Sequence, residues 1–424
     1  MKIILLKKII NILQIMFLTS ICTASFVKKV DIIGNKHTKK HIILRELQHP
    51  IPAKFDSILA KQDRDRIYNL DLFSTVKIYQ NDSSYTISLI EAIRTLPIPI
   101  IDYDEGGGLS YGAGIAFLNF RGLNEKLVFG GTLGNENIYF FEFFNPWLFG
   151  DHGSITSELY KFSSTSNIYN FELQKEGFEL GSGFHYNNKH KYNFTLGVEL
   201  FTMKVDNNFN YEKINIIKKE TYYNYIATQF EYKYDTRDIY IDPTKGNRFK
   251  LIWKPKLGIN NTQNRMSIYL SHSKYIELNK NLINPILIIK SQLLLKYSKK
   301  LPLFEMEYIG GEEYIRGYSP IIQENPSKIK NNIEGSQILY NSIQIQHTLI
   351  NRKDYYRFET GVDIVYFVDY GIASNTIDSF QISNLIVGYG IGFKLFLSGM
   401  GTINFDFGFN PYGSWFFHPS GGNY

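Results

Sequence analysis

Few residues in this chain are of a type and spacing that could do chemistry. Gly108-Leu109-Ser110-Tyr111-Gly112 has the G-x-S-x-G spacing that lifts a serine nucleophile on a sharp strand-to-helix turn. Here the flanking residues alternate between apolar and small, as in a strand that runs straight through the motif, so a lipase-type enzyme is not expected. The nine histidines fall at no metal-ligand spacing and no H-E-x-x-H occurs, so neither a metal nor a cofactor is expected. Cys22 is the sole cysteine. It lies in a segment expected to be removed, which excludes thiol catalysis, disulfides and Cys-based metal sites from the mature chain. Glu312-Glu313 reads as a pair of loop charges. One cation stands out: Arg316, in the loop Gly310-Gly311-Glu312-Glu313-Tyr314-Ile315-Arg316-Gly317-Tyr318. An arginine enclosed inside a barrel needs a carboxylate partner on the lumen face, whereas the residues by themselves fit a solvated loop arginine better.

The elements that must position this arginine are strands. From residue 105 onward, segments of about 10 to 15 residues alternate apolar with polar or small ones. Ile403, Phe405, Phe407 and Phe409 share one face, and Asn404, Asp406 and Gly408 the other. Ile226, Phe230, Tyr232 and Tyr234 oppose Gln229, Glu231 and Lys233. Leu339, Ile343, Ile345 and Leu349 oppose Ser342, Gln344 and Gln346. A period of two with one strongly aromatic face means that this face meets an apolar medium, while the other is wet or packed on polar groups. About 16 such segments fit an even-stranded, antiparallel, all-β transmembrane barrel over 105–424. A soluble sandwich or propeller explains the alternation but not the aromatic load of 16%. Residues 302–335 are the longest interruption of the pattern.

Composition closes off other classes. Lys plus Arg number 46 against 40 acidic residues, for a net charge of +6. Residues 1–25 read as a signal peptide: basic residues, an apolar run from Ile9 to Cys22, then Ala24 and Ser25. Removing its Lys2, Lys7 and Lys8 takes the basic count from 46 to 43 and the balance to +3, too weak for nucleic acid. Beyond residue 25 no apolar run is long enough for a membrane helix.

Residues 26–95 have a different texture. Val27–Ile33 alternates as a strand ending in the turn Gly34-Asn35. Thr38 is placed to cap a helix through Ile42, Ile43, Arg45, Glu46 and Leu47. Phe55–Asn69 has helical spacing, and 76–79 and 86–91 read as two strands. The expectation is a small βααββ domain of the α+β kind. Residues 96–104, with Leu96-Pro97-Ile98-Pro99-Ile100, read as a stiff linker.

Taken together the motifs resemble the BamA/TamA outer-membrane assembly and translocation family of the bacterial surface antigen superfamily. Ile315-Arg316-Gly317-Tyr318 after Gly310-Gly311 is similar to its Arg-Gly-aromatic loop. Phe367, Asp369 and Gly371 are similar to its F-x-D-x-G strand motif. Asp235, Arg237, Pro243 and Gly246 resemble its D-x-R and P-x-x-G segment. Gly388-Tyr389-Gly390-Ile391-Gly392 and Asn404–Gly408 resemble its last strands. The 26–95 unit, with Leu72–Val76 before its third strand, resembles a polypeptide-transport-associated (POTRA) domain. The resemblance implies that the loop folds into the barrel and that Arg316 pairs with Asp369. Residue parity agrees, since Asp369 shares the polar face with Glu359 and Asp363. Gln344 holds the place where the family often has a second acid, with Glu359 or Asp363 as alternatives for a shared role.

The expected seam joins a glycine-rich first strand (Gly106, Gly107, Gly108, Gly112, Gly114) to a last strand with Pro419, Gly421 and Gly422. Glycine weakens a strand interior and proline removes a ladder donor, so the seam is poorly bonded from both sides. The resemblance implies an outer-membrane protein with its N-terminal domain in the periplasm. The implied function is to fold client β-barrels into the lipid bilayer through this seam. A secretion pore of the same family, or a passive porin or surface receptor, is the alternative. The implied partners are unfolded outer-membrane or secreted polypeptides, and periplasmic accessory proteins bound through 26–95.

Overall fold

The computed structural model describes residues 26–104, 108–134, 137–150, 153–166, 171–187, 189–205, 220–278, 285–319, 333–355, 358–398 and 401–422. The leader expected at 1–25, and Gly106 and Gly107, lie outside them.

The N-terminal unit contains β1 (Phe26–Val27), β2 (Lys29–Ile33), α1 (Lys40–Leu44), β3 (Ala53–Lys54), α2 (Ser57–Tyr68), β4 (Phe73–Asn81) and β5 (Ser84–Glu91). β2, β5 and β4 form a three-stranded sheet in that order, and β1 pairs with β3. Ile42, Ile43, Ile67, Phe73, Tyr85 and Ile87 fill its core. Asp56 caps α2 by accepting from the Ile58 and Leu59 amides at 2.8 and 3.2 Å. Buried Asp63 accepts from the Gln48 and His49 amides, from the Tyr85 hydroxyl and from Arg66, which anchors the connection between the helices. Thr38 does not cap α1. The cap position is Lys39, and the Thr38 hydroxyl instead donates to Glu91 and accepts from Asn119, tying this unit to the large sheet.

Sixteen strands form one antiparallel sheet. The first eight are β6 (Thr95–Asp104), β7 (Gly108–Phe120), β8 (Glu125–Gly134), β9 (Tyr139–Asn145), β10 (Gly153–Ser166), β11 (Phe171–Tyr186), β12 (His190–Val205) and β13 (Glu220–Asp235). The next three are β14 (Gly246–Ile259), β15 (Arg265–Glu277) and β16 (Ile286–Ser298). After a short ribbon of β17 (Glu307–Tyr308) and β18 (Glu334–Gly335) come β19 (Gln337–Tyr355), β20 (Phe358–Ser374), β21 (Ile386–Leu397), β22 (Gly401–Phe409) and β23 (Trp415–Gly422). Each strand pairs with its neighbour in sequence, so the chain meanders.

The expected linker 96–104 is therefore a strand, and the glycine-rich segment is the second strand, not the first. β6 pairs with β7 from Thr95↔Phe117 to Asp104↔Gly108. The physical reason lies in the spacing of Pro97 and Pro99. Two residues apart, they aim their donor-less nitrogens at the same side. A ladder can form through Leu96, Ile98 and Ile100 while the proline side faces outward. A Pro-x-Pro pattern that reads as a linker is equally the signature of an edge strand.

The alternation has the expected sense. Phe194, Leu196, Val198 and Leu200 on β12, and Ile403, Phe405 and Phe409 on β22, are exposed on the outside. Glu199, Asp363, Asp369 and Asp406 point into the lumen and are buried there. An antiparallel meander puts the N-terminal unit and the β7–β8, β11–β12, β13–β14 and β19–β20 connections, with the 121–124 and 236–245 turns among them, at one end, called here the near end. The described parts of the connection between β16 and β19, residues 299–319 and 333–336, lie at the far end.

Candidate functional site: a loop arginine fixed to the lumen wall

The far-end loop crosses the lumen. Its first leg rests on one wall, where Phe304 stacks on Phe201 of β12 at 4.9 Å and Glu305 pairs with Arg265 of β15 and, at 3.1 Å, with Lys296 of β16. Its tip reaches the wall built by β19–β23. There Ile309, Ile315 and Tyr318 pack with Ile338, Tyr340, Ala373 and Ile386.

Arg316 sits at this tip, 7% exposed. Its Nε donates to Asp369 Oδ2 at 2.7 Å and its Nη2 to Asp369 Oδ1 at 2.9 Å, a bidentate pair. The Arg316 amide adds a bond to the same carboxylate at 3.2 Å, and its Nη1 donates to Asp406 Oδ2 at 3.0 Å. The guanidinium carbon lies 3.5 Å from the centre of the Phe367 ring, a cation–π contact. Ser342 donates to Asp369 at 2.6 Å, and Gln344 donates to Ser342 at 3.0 Å.

The loop backbone fits because Gly388 and Gly408 leave the wall bare where it crosses them. A Cβ on Gly388 would stand 1.8 Å from the Arg316 carbonyl oxygen, and one on Gly408 2.2 Å from the Gly317 nitrogen. Gly317 itself has φ +99°, which lets the loop turn flat against β22. Tyr318 completes the seat by donating from its hydroxyl to the Val387 carbonyl at 3.1 Å. Gly371 lies on the same face, and a Cβ there would meet the Leu339 carbonyl oxygen at 2.5 Å.

The structure thus brings Arg316, Gly317, Tyr318, Phe367, Asp369 and Gly371 together. Gln344 does not take a share of the arginine; its amide donates to Ser342 instead. Nor do Glu359 and Asp363. Glu359 accepts from the Tyr68 hydroxyl at 3.0 Å, and Asp363 pairs with Arg352 at 2.6 Å. The second carboxylate is Asp406 on β22. Its inward parity was legible in sequence, but its partner was not, because Arg316 reaches it only across the glycines of β21. Two further residues were missed. Gly317 N donates to His418 Nε2 on β23 at 3.1 Å, and Asn410 donates to the Gly317 carbonyl at 2.8 Å. The lock therefore holds the last strand as well as the wall.

A second ionic site lies at the near end. Asp235 and Arg237 pair bidentately, and Arg237 donates to the Tyr240 carbonyl at 2.9 Å, folding the 236–245 turn that Pro243 and Gly246 complete. This turn sends Asp242 across to β19–β21, where Arg352 pairs with it at 2.5 Å and Lys394 at 3.1 Å. Asn69 of the N-terminal unit grips the same turn through the Asp238 carbonyl and the Tyr240 amide, both at 2.9 Å.

The seam residues are split. Gly108, Gly112 and Gly114 belong to β7, where Gly108 pairs with Asp104 of β6 and Gly112 and Gly114 pack on β8: a Cβ on Gly112 would stand 2.0 Å from the Gly131 carbonyl oxygen. Pro419, Gly421 and Gly422 do lie on the terminal strand β23. β6 and β23 are the two ends of the sheet order, with no ladder partner on their outer sides among the described residues.

A model of the Omp85 superfamily domain matches residues 119–414. The chain belongs to the Omp85 superfamily. The structure of BamA from Haemophilus ducreyi lacking POTRA domains 1-3 aligns at TM-score 0.60 and 17% identity, over 93% of this chain and 83% of that one. CdiB from Escherichia coli aligns at TM-score 0.56 and 12% identity, over 94% and 75%. No curated protein matches the chain. The lock and both sheet edges thus belong to an outer-membrane β-barrel of the Omp85 superfamily.

Proposed function

We propose that this Omp85 barrel inserts client β-barrels into the outer membrane, working as a BamA/TamA-type assembly factor and not as an enzyme. The observation that carries the reading is the joining of the lumen lock to the terminal strand through Gly317 and His418. Omp85 members act on polypeptide clients at the outer membrane, and an insertion factor needs a strand edge it can offer and withdraw. β6 and β23 supply that edge. Pro97 and Pro99 on one side and Pro419 on the other leave it short of donors, so few bonds oppose its opening. A client strand pairs with the edge by β-augmentation, and Arg316 sets whether β23 is held or released. The N-terminal unit acts as a single POTRA-like domain on the periplasmic side and receives clients or accessory proteins.

A secretion pore is the second reading, and the likeness to CdiB motivates it. It requires the whole loop to leave both lumen walls. A passive porin is disfavoured by a loop pinned to both of them.

The test is reconstitution in liposomes with an unfolded outer-membrane barrel as client, comparing wild type, Arg316→Ala and empty liposomes. Insertion predicts faster client folding with wild type and a loss with Arg316→Ala. Cysteine pairs placed on β6 and β23 then lock the seam; undiminished activity in the oxidised protein would refute insertion through it. Client passage into the liposome interior without folding would favour secretion.

A further inference from the structure

We propose that residues 36–45, together with the turn at 146–150, form a docking surface for anionic phospholipid headgroups in the leaflet at the near end of the barrel.

The turn comes first. Leu148 and Phe149 are 51% and 65% exposed, an unusual state for two consecutive large apolar residues in a turn. Their placement follows from Gly153. On β10, Gly153 has the parity of Leu159, which faces outward, so a Cβ on Gly153 would point to the lipid side. It would meet the Phe149 Cβ at 2.5 Å. Phe149 therefore begins on the outer face of the wall. Gly153 pairs with Phe184, which is exposed, as are Tyr186 and Tyr192 beyond it. The turn continues this near-end aromatic belt, the position where amphipathic rings meet the headgroup layer.

The second half is basic. Segment 36–45 runs along the same rim. Its start is held to the β7–β8 turn, where the Lys39 amide donates to the Gly122 carbonyl at 3.0 Å and His37 Nε2 bonds the Asn119 carbonyl at 2.9 Å. Its end is held to the 146–150 turn, where the Arg45 guanidinium lies 3.9 Å from the centre of the Trp147 ring. Ile42 and Ile43 turn into the domain core, while Lys36, Lys39, Lys40, His41 and Leu44 are exposed. No acidic residue occurs from Gly34 to Arg45. An apolar anchor beside a cluster of lysines matches a bilayer surface with negative headgroups, where each lysine adds to the attraction. The surface is continuous with the lipid-facing belt, which commits it to the bilayer and not to a soluble anion. Its effect is to fix the N-terminal unit relative to the membrane.

The test uses the full chain, whose residues 26–424 contain no cysteine. Single cysteines at Leu148, Leu44 and Ile58 carry an environment-sensitive fluorophore. Ile58 is an exposed control ten residues along α2 from the Tyr68 contact with the barrel, about 15 Å away. Each protein is placed in phosphatidylcholine vesicles with or without phosphatidylglycerol, and lipid spin-labelled near the headgroup serves as quencher. The expected result is several-fold stronger quenching at 148 and 44 than at 58. Phosphatidylglycerol should raise the signal at 44, Lys39→Glu with Lys40→Glu should abolish that rise, and inorganic phosphate should leave it unchanged. Quenching at either 148 or 44 no greater than at 58 would overturn the proposal. So would a signal at 44 indifferent to phosphatidylglycerol, or one that phosphate competes away.

Discussion

Removing the Arg316 side chain should undock the lumen loop. Arg316→Ala deletes three charge-assisted hydrogen bonds and the stacking on Phe367, and it leaves Asp369, fully buried, beside Asp406. Breaking one side of a buried pair costs about 3–5 kcal/mol, mostly because a charge is left unpaired. Water entering the lumen as the loop lifts rehydrates the carboxylates, which favours the lower figure. About 3 kcal/mol corresponds to roughly a 100-fold rise in the undocked population. The apolar seat of Ile309 and Ile315 remains in both proteins and cancels in the comparison. The assay is thiol labelling in a Tyr318→Cys background, because this position is 3% exposed when the loop is seated. Labelling through transient opening reports the undocked fraction. Arg316→Ala should label about 100-fold faster, and Arg316→Lys should fall between, since a point charge cannot make the bidentate pair. Adding Asp369→Ala to Arg316→Ala should recover part of the loss, because the orphaned charge goes with it. A rate within about threefold of the parent, or strict additivity of the two changes, would refute the lock.

The same geometry sets four other outcomes. Gly388→Ala places a methyl against the Arg316 carbonyl oxygen and should undock the loop as fully as Arg316→Ala in the same labelling experiment, whereas Gly421→Ala, with open space around it, should not. His418→Ala removes the acceptor for the Gly317 amide, so oxidation of cysteine pairs across β6 and β23 should slow as β23 loosens. Asp242→Asn weakens the pairing with Arg352 and Lys394, and planar-bilayer recordings should show a larger steady conductance; an unchanged one would mean that the 236–245 turn does not narrow the mouth. Burial pushes the Glu46 carboxyl up from 4.5 to about 7, so the folded N-terminal unit binds a proton that the unfolded chain releases. Stability should then fall as pH rises from about 4.5 to 7, by roughly 3 kcal/mol at most, and Glu46→Gln should flatten that slope in denaturant melts.

The facing of strand residues, which local period governs, was readable in the chain alone, whereas the cap expected at Thr38 was not found. Alternation put Asp369 and Asp406 inward and Ile403 and Phe405 outward, because successive side chains on a strand must face opposite ways. The count of about 16 alternating segments over 105–424 came close to the 15 sheet strands found there, the sixteenth being β6 in the expected linker, and Arg316 stood out as the cation beside Gly317 and Tyr318 in the longest interruption of the pattern. Which inward residues meet was left to the folded barrel. Arg316 and Asp406 are 90 residues apart, and their contact depends on Gly388, Gly390 and Gly392 leaving β21 low enough for a side chain to pass above it. The Asp242 bridge joins a near-end turn to strands on the far wall, a distance that no spacing encodes. The identity of the first strand escaped for a third reason. Pro97 and Pro99 suit a linker and an edge strand equally, and only the presence of β7 alongside settles which they make.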